Sequence, residues 1–480
     1  MDPAPGVLSL LPPLLAIGLA LFTREVYLSL AAGILSGYVI LAGGDPFGGA
    51  VGAVDAVVGV FESAGNTRII LFTLVIGALI ALIQRGGGVT GFVARVLAEL
   101  DRAASQADAR GQRRRVELLA VLTGLVLFVE SNISILTVGT LFRPLTDRLG
   151  VPREKLAYIA DTGSAPSNVL IPFNAWGAYL AGLLATEGVA GGFGVVLASV
   201  PFNLYALGSF ALLVWVVASG RDFGPMRAAE SRGTLLRAGA VPAIGEEFDA
   251  VASAPGAPPR ARNMLLPIAA MVFAVPVWLW WTGEGEGLAR LQSGSGSRAV
   301  LYAVSGAVLL AMLLFKAQRL FSVREGVEVA LRGMKAMLPL ALLMVLAFAI
   351  GDVARALGTG AYVADLAAPL LSPSLLPALL FVVGAFVAFS TGTSWGTFAI
   401  LIPIAVPLAS TLGSPLPVAL AACVGGGVFG DHSSPISDTS LVSSMAAGSD
   451  HIDHVRTQLP YALAAGTVAV VGYGVLGVVL

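Results

Sequence analysis

Charge is scarce in this 480-residue chain: Asp, Glu, Lys and Arg make up 12% of it, against 56% hydrophobic residues. A soluble globular domain carries about twice that share of charge, so water is not the main solvent here, and the mean hydropathy of +0.87 agrees. The net charge of -1 removes the broad basic field that a nucleic-acid partner would need. The single cysteine, Cys423, excludes a disulfide framework or a cysteine metal cluster and reads as packing in an apolar run. A zinc-binding HExxH, a phosphate-cradling glycine loop and a nucleophile paired with a base are all missing, so neither an enzyme nor a bound cofactor is expected. Met1 to Gly6 carry no basic residue and no convincing cleavage site follows, which predicts a first membrane helix rather than a removed signal.

What the chain has in quantity is apolar runs that approach the ~20 helical residues needed to cross a hydrocarbon core. Ten spans are predicted, near 6–22, 26–42, 69–84, 155–180, 193–218, 263–281, 298–315, 336–350, 415–447 and 457–479. Two further segments, 116–148 and 374–412, turn polar at their middle. The run from Val116 to Val129 rises only about 21 Å as a helix before Glu130-Ser131-Asn132 interrupts it, and Ser390-Thr391-Gly392-Thr393-Ser394 interrupts the second segment. Both predict re-entrant hairpins, because non-helical backbone at that depth persists only inside protein or along a wet cavity. Their tips, Glu130, Ser131, Asn132 and Thr391, Gly392, Thr393, Ser394, are candidate substrate elements.

The halves repeat. Leu10-Leu11-Pro12 pairs with Leu265-Leu266-Pro267, Phe92-Val93-Ala94 with Tyr362-Val363-Ala364, and Asp161 with Asp431, the last two at an offset of 270. Each unit holds five spans and a hairpin. A hairpin returns to its own side, so five crossings leave the second unit upside down. The expected fold is an all-α polytopic membrane protein, an inverted repeat with broken helices at the midplane. Its halves are 1–218 and 263–480, joined by a flexible linker, 219–262, of Gly, Ala, Pro and mixed charge. Of the 28 Lys and Arg, all but Arg68, Arg290, Arg298 and Arg355 fall on the linker's side of that topology. The positive-inside rule makes that side cytoplasmic and puts both termini outside.

Two polar segments interrupt apolar spans: Asp161-Thr162-Gly163-Ser164-Ala165-Pro166-Ser167-Asn168 and Asp431-His432-Ser433-Ser434-Pro435-Ile436-Ser437-Asp438-Thr439. Gly and Pro disfavour regular helix there, while hydroxyls and freed carbonyls supply the hard oxygens that small cations need. A carboxylate inside a membrane is costly enough to imply function. Asp431 and Asp438 with Ser433, Ser434 and Ser437 therefore read as the main cation and proton site. Asp161, Ser164 and Asn168 read as its first-half counterpart, with Asn168 standing where the second half has Asp438. Each Asp also admits a helix-capping role. His432 admits a proton-relay or a structural role, His451 and His454 read as a solvated turn, and Trp176 and Trp395 as packing or interfacial residues.

Gly430-Asp431-His432-Ser433-Ser434-Pro435-Ile436-Ser437-Asp438-Thr439, then Asp450-His451 and His454-Val455-Arg456-Thr457-Gln458-Leu459-Pro460-Tyr461, strongly resemble the NhaC family of Na+/H+ antiporters within the ion transporter superfamily. With Glu130-Ser131-Asn132 and the Asp161 segment, the likeness spans nearly the whole chain outside the linker. The first half departs from it, since Ser164-Ala165-Pro166-Ser167-Asn168 stands in place of a Ser-Pro-x-Ser-Asp-Thr segment. The resemblance implies a scaffold and a transport domain, elevator-like movement, a homodimer and Na+/H+ exchange across a prokaryotic plasma membrane. Na+ would be the transported or coupling ion. Relatives that exchange malate or lactate keep a second reading open: a Na+-coupled carrier of small organic anions or amino acids, held at the hairpin tips. The sequence offers no buried arginine to clamp an anion, which favours the bare cation.

Overall fold

A computed structural model describes residues 6–23, 25–92, 94, 95, 98, 109–128, 131–242, 258–287, 290, 294–359, 362, 366 and 372–479. Among these residues the architecture is all helical, with one isolated bridge between Pro242 and Asp450. The first half runs α1 (Leu11–Thr23), α2 (Val26–Leu41), α3 (Pro46–Gly59), α4 (Ala64–Arg85), α5 (Ala109–Val126), α6 (Ser131–Arg148), α7 (Arg153–Thr162), α8 (Ala165–Leu170), α9 (Ala175–Thr186), α10 (Gly192–Ser199) and α11 (Leu204–Ser219). A short α12 (Gly224–Ser231) follows. The second half runs α13 (Arg262–Thr282), α14 (Gly296–Ala317), α15 (Val323–Ala336), α16 (Leu338–Ala356), α17 (Leu376–Thr391), α18 (Ser394–Leu412), α19 (Leu416–Ser433), α20 (Asp438–Ala447) and α21 (His451–Val479).

Among the described residues, eight helices are long and apolar enough to cross a membrane, nine if the pair Arg153–Leu170 and Ala175–Thr186, bent by 44°, counts as one. The expected spans at 69–84, 263–281, 298–315, 336–350 and 457–479 are among them. Three expectations change. The 6–22 and 26–42 spans form shorter apolar helices, the 415–447 span divides into α19 and α20, and both arms of the second hairpin, 373–391 and 394–412, are themselves long enough to cross. Local chemistry sets the boundaries. Asp45 caps α3 by accepting from Phe47 N and Gly48 N, each at 3.0 Å, with Pro46 pre-set for the first helical position. Ser63 caps α4 through Asn66 N at 3.3 Å.

Packing follows small residues, as it must where lipid supplies no hydrophobic drive between helices. Gly77 of α4 and Gly333 of α15 face one another, each with the other's carbonyl where a Cβ would stand. Asn263, at the start of α13, donates to Gly86 O at 2.8 Å. A second, smaller apolar cluster joins α5, α6, α7, α11, α20 and α21 around Phe142, Tyr158 and Tyr461. The first part of the expected linker packs against the helices. Met226 and Ala229 of α12 are buried, Tyr461 Oη donates to Asp222 at 3.0 Å, and Arg237 pairs with Asp453 at 3.0 Å.

Three helix starts before residue 219 have counterparts at one fixed spacing later in the chain. Helices starting at 131, 153 and 175 recur at 394, 416 and 438, a constant offset of 263. This spacing is about two helical turns shorter than the expected 270, and on it Asn168, rather than Asp161, falls opposite Asp431. Two aspartates, each followed by a Gly, Ser and Pro stretch, look alike in sequence. The positional markers are the caps that restart the chain, Asn174 before α9 and Ser437 before α20.

Candidate cation and proton site

Asp431 lies in the last turn of α19, is 2% exposed and is gripped from two sides. From the hairpin, Ser394 opens α18 and gives Asp431 Oδ2 its hydroxyl at 2.7 Å and its backbone N–H at 3.3 Å. From the far side of the break, Ser437 Oγ donates to Oδ1 at 2.5 Å and Thr439 Oγ1 lies at 3.5 Å. The break exists because the backbone turns extended at Ser434 and Pro435 follows, and Ser437 then caps α20 by accepting from Ser440 N at 3.4 Å. The hairpin tip is equally constrained. Gly392 has φ +71°, and a Cβ there would meet Ile436 O at 2.6 Å, so glycine alone lets the tip rest on the break.

The equivalent point in the first half has an amide. Asn168 is fully buried; its oxygen accepts from Ser131 Oγ at 2.7 Å and Ser131 N at 3.1 Å, while its nitrogen donates to Phe128 O at 2.8 Å. Ser131 opens α6 as Ser394 opens α18. The two tips are thus held by the same pair of donors, one on an amide and one on a carboxylate. Asn174 adds to the first by donating to Asn168 O at 2.8 Å and Phe128 O at 3.0 Å.

Asp161, 0% exposed, sits in α7 and faces nitrogen chemistry as well as oxygen. Gln458 Nε2 of α21 donates to its Oδ2 at 2.7 Å, Ser440 Oγ donates at 3.1 Å, and His454 Nε2 lies 3.9 Å away. Gln458 also donates to His432 O at 2.5 Å, tying the two aspartate neighbourhoods together. The His432 ring lies between Thr162 Oγ1 at 2.8 Å and Tyr205 Oη at 2.7 Å.

Other expected site residues are near but differently engaged. Ser433 and Ser434 donate to Phe429 O at 2.5 Å and Phe389 O at 2.6 Å, Ser164 to Asp161 O at 3.0 Å and Thr391 to Val387 O at 2.8 Å. Thr393 O accepts from Thr397 at 2.9 Å. Glu130 and the side chains of Asn132 and Asp438 lie outside the described residues. Trp395 is packing: its ring stacks 5.2 Å from Trp176, and its carbonyl accepts from Tyr179 at 3.1 Å. The solvated turn expected at His451 and His454 is corrected: His454 is 0% exposed, because Asp450 caps α21 and turns that residue inward. Sequence reasoning passed over Gln458, Ser440 and Ser444. The available signal was Gln458 four residues after His454, one helical turn along the same face.

An all-helical, multi-pass chain that buries two carboxylates among hydroxyls and chain breaks is a membrane transporter. More particularly, it belongs to the Na+/H+ antiporter family, which residues 185–478 match. An uncharacterised protein of Haemophilus influenzae is 35% identical over 99% of this chain and 92% of its own length. The arginine/ornithine antiporter ArcD of Halobacterium salinarum is 38% identical over 63 residues, 13% of each protein. Among solved structures, the Alcanivorax borkumensis YdaH transporter superposes with TM-score 0.57 at 16% identity, covering 90% of this chain and 88% of that one. Neisseria gonorrhoeae MtrF, described as one of a class of antimetabolite efflux pumps, gives 0.54 at 15%, covering 89% and 84%. These two likenesses establish the fold. The family match begins after Asp161 and Asn168, consistent with the departure seen in the first half.

Proposed function

We propose that this chain exchanges Na+ for H+ across a plasma membrane, with the cation held at Asp431 and the proton carried by Asp161. The observation that carries the division is donor chemistry. Ser394, Ser437 and Thr439 surround Asp431 with hydroxyl oxygens, which rotate their protons away and become ligands for a hard cation. Asp161 has one hydroxyl, Ser440 Oγ, beside an amide N–H and an imidazole edge, a set poorer in hydroxyl oxygens for a cation and suited to a proton-carrying carboxylate. Exchange then needs only that an empty, fully ionised site seldom crosses, since uncompensated charge in a membrane is expensive.

The rest of the reading follows the family. The halves form an inverted repeat, the hairpins and the segments around Asp161 and Asp431 move as one body past the scaffold, the protein is a homodimer, and the linker face is cytoplasmic. One-sided labelling of a cysteine placed at Ala238 reads that face directly. The short likeness to an arginine/ornithine antiporter favours one alternative, a cationic amino acid seated by its ammonium on Asp431. Thermal unfolding of the purified protein separates them. A cation that binds only the folded state stabilises it, by about 2.7 kcal/mol at 100 times its Kd. Na+ should raise the melting temperature over an equal concentration of K+, and Asp431→Asn should abolish the difference. Stabilisation by ornithine and not by Na+ would replace the reading, and Na+ stabilisation that survives Asp431→Asn would remove Asp431 from the site.

A further inference from the structure

We infer that His451, Ser444 and His454 form a proton wire between the linker face and Asp161. The inference rests on the exchange reading above. Asp161 is sealed inside the protein, so a proton that it carries needs a route. Ser444 Oγ lies 3.0 Å from His451 Nδ1 and 2.8 Å from His454 Nδ1. The outer nitrogens fix the tautomers. His451 Nε2 is 2.7 Å from Pro435 O, a carbonyl that can only accept, and His454 Nε2 is 2.9 Å from Gln458 Oε1, whose amide nitrogen is turned to Asp161. Both rings therefore carry hydrogen on Nε2 when neutral, and both present a bare Nδ1 to the same hydroxyl. That hydroxyl rests on Ser440 O at 2.8 Å. His451 is partly exposed and His454 is fully buried, so the chain has one wet and one dry end.

Transfer balances without any other reactant. The partly exposed His451 ring swings its Nδ1 to water, takes up a proton there and returns as a donor to Ser444 Oγ. Ser444 accepts it and swings its own proton from Ser440 O to His454 Nδ1. His454, now an imidazolium, releases its Nε2 proton to Asp161 Oδ2, 3.9 Å away, after closing by about 1 Å to hydrogen-bond range. One proton enters at His451 and one reaches Asp161; His451 ends in its starting tautomer, and His454, left with hydrogen on Nδ1, returns to its own by turning over. The charged groups facing this chain are Asp161 from α7, Arg153 at the start of α7 through Gly448 O at 3.2 Å, Arg143 of α6 against Gly448, and Arg237 paired with Asp453. Asp450 and Asp453 flank it on its own element. None of these bridges Ser444, so its hydroxyl is the link between the rings.

The test compares two fluxes in proteoliposomes: Na+-driven proton movement, and self-exchange of isotopic Na+, which needs no proton. Ser444→Ala and His451→Ala should slow proton-coupled exchange by about 100-fold, the usual worth of a positioned proton-transfer group, while self-exchange continues. Imidazole in the medium on the linker side should restore His451→Ala, whose gap opens to water, and not Ser444→Ala, whose gap is buried. Equal losses in both fluxes would show a structural role, and unchanged proton flux would show another route; either overturns the wire. A wild type that moves no protons under any Na+ gradient overturns the exchange reading itself, and the wire with it.

Discussion

Asn168 and Asp431 hold equivalent serines with equivalent geometry, yet one is an amide and the other a carboxylate. The difference is chemical economy at a buried position: Asn168 must also donate to Phe128 O, which an ionised carboxylate cannot do. Asn168→Ala leaves Ser131 N without its partner, while Phe128 O keeps its bond from Asn174, and should cost about 1–3 kcal/mol for the buried group stranded. Asn168→Asp keeps the acceptor toward Ser131 but loses the donor and buries a charge, so it too should be less stable than wild type, most so at alkaline pH where the new carboxyl ionises. Chemical denaturation in mild detergent ranks the three, and an alanine variant as stable as wild type would mean the amide does not hold the tip. At this scale the sequence disclosed which residue types matter, since carboxylates, Ser and Thr inside apolar runs are costly enough to stand out. It did not disclose partners. Asn168 looked like a weakened Asp438 but falls opposite Asp431 when the helix starts are aligned, because one-dimensional matching followed the repeated Asp rather than the caps at Asn174 and Ser437. His454 looked wet because a charged neighbourhood masks the inward face of a helix start.

The helix start at 451 shows how an element positions chemistry. Asp450 Oδ1 accepts from Asp453 N at 3.0 Å, capping α21, and its Oδ2 accepts from Val241 N at 2.9 Å, pinning the docked part of the linker. Burial, the largest single influence, pushes this carboxyl up, but the N–H groups of Asp453, Val241 and Ile452 together with the charge of Arg237 hold it below its ordinary value of 3.8. A depressed carboxylate contributes stability that is fully present above its unfolded-state pKa and lost as the pH falls through the folded one. Docking of 232–242 should therefore be constant above about pH 4 to 5 and loosen in more acidic medium. Asp450→Ala should loosen it at every pH, at a cost of about 1 kcal/mol for the lost cap. Limited proteolysis of the linker against pH checks both, and a linker equally protected in the alanine variant would contradict them. The helix ends after Thr162 and Ser433 were legible from Gly, Pro and polar interruptions. The full membrane-crossing length of α17 and α18 was hidden by the same interruption, since a polar tip shortens a hydropathy window without shortening the helices.

At the scale of the whole molecule, two carboxylates are joined through Gln458, which donates to Asp161 Oδ2 and to the carbonyl of the residue after Asp431. Filling one site therefore touches the other through a single side chain as well as through the field between them. Competition of cation and proton for a limited allowance of buried negative charge is sufficient to couple opposed fluxes. The claim most exposed to refutation is that a sodium ion alone, with no organic companion, exchanges for protons through Asp431. Purified protein in liposomes containing a pH-sensitive dye tests it in one recording. Adding Na+ outside should draw protons out and alkalinise the lumen, equal K+ should do nothing, and Asp431→Asn should be silent. Proton movement only when an amino acid or organic acid is also present, or unchanged movement in Asp431→Asn, would contradict it.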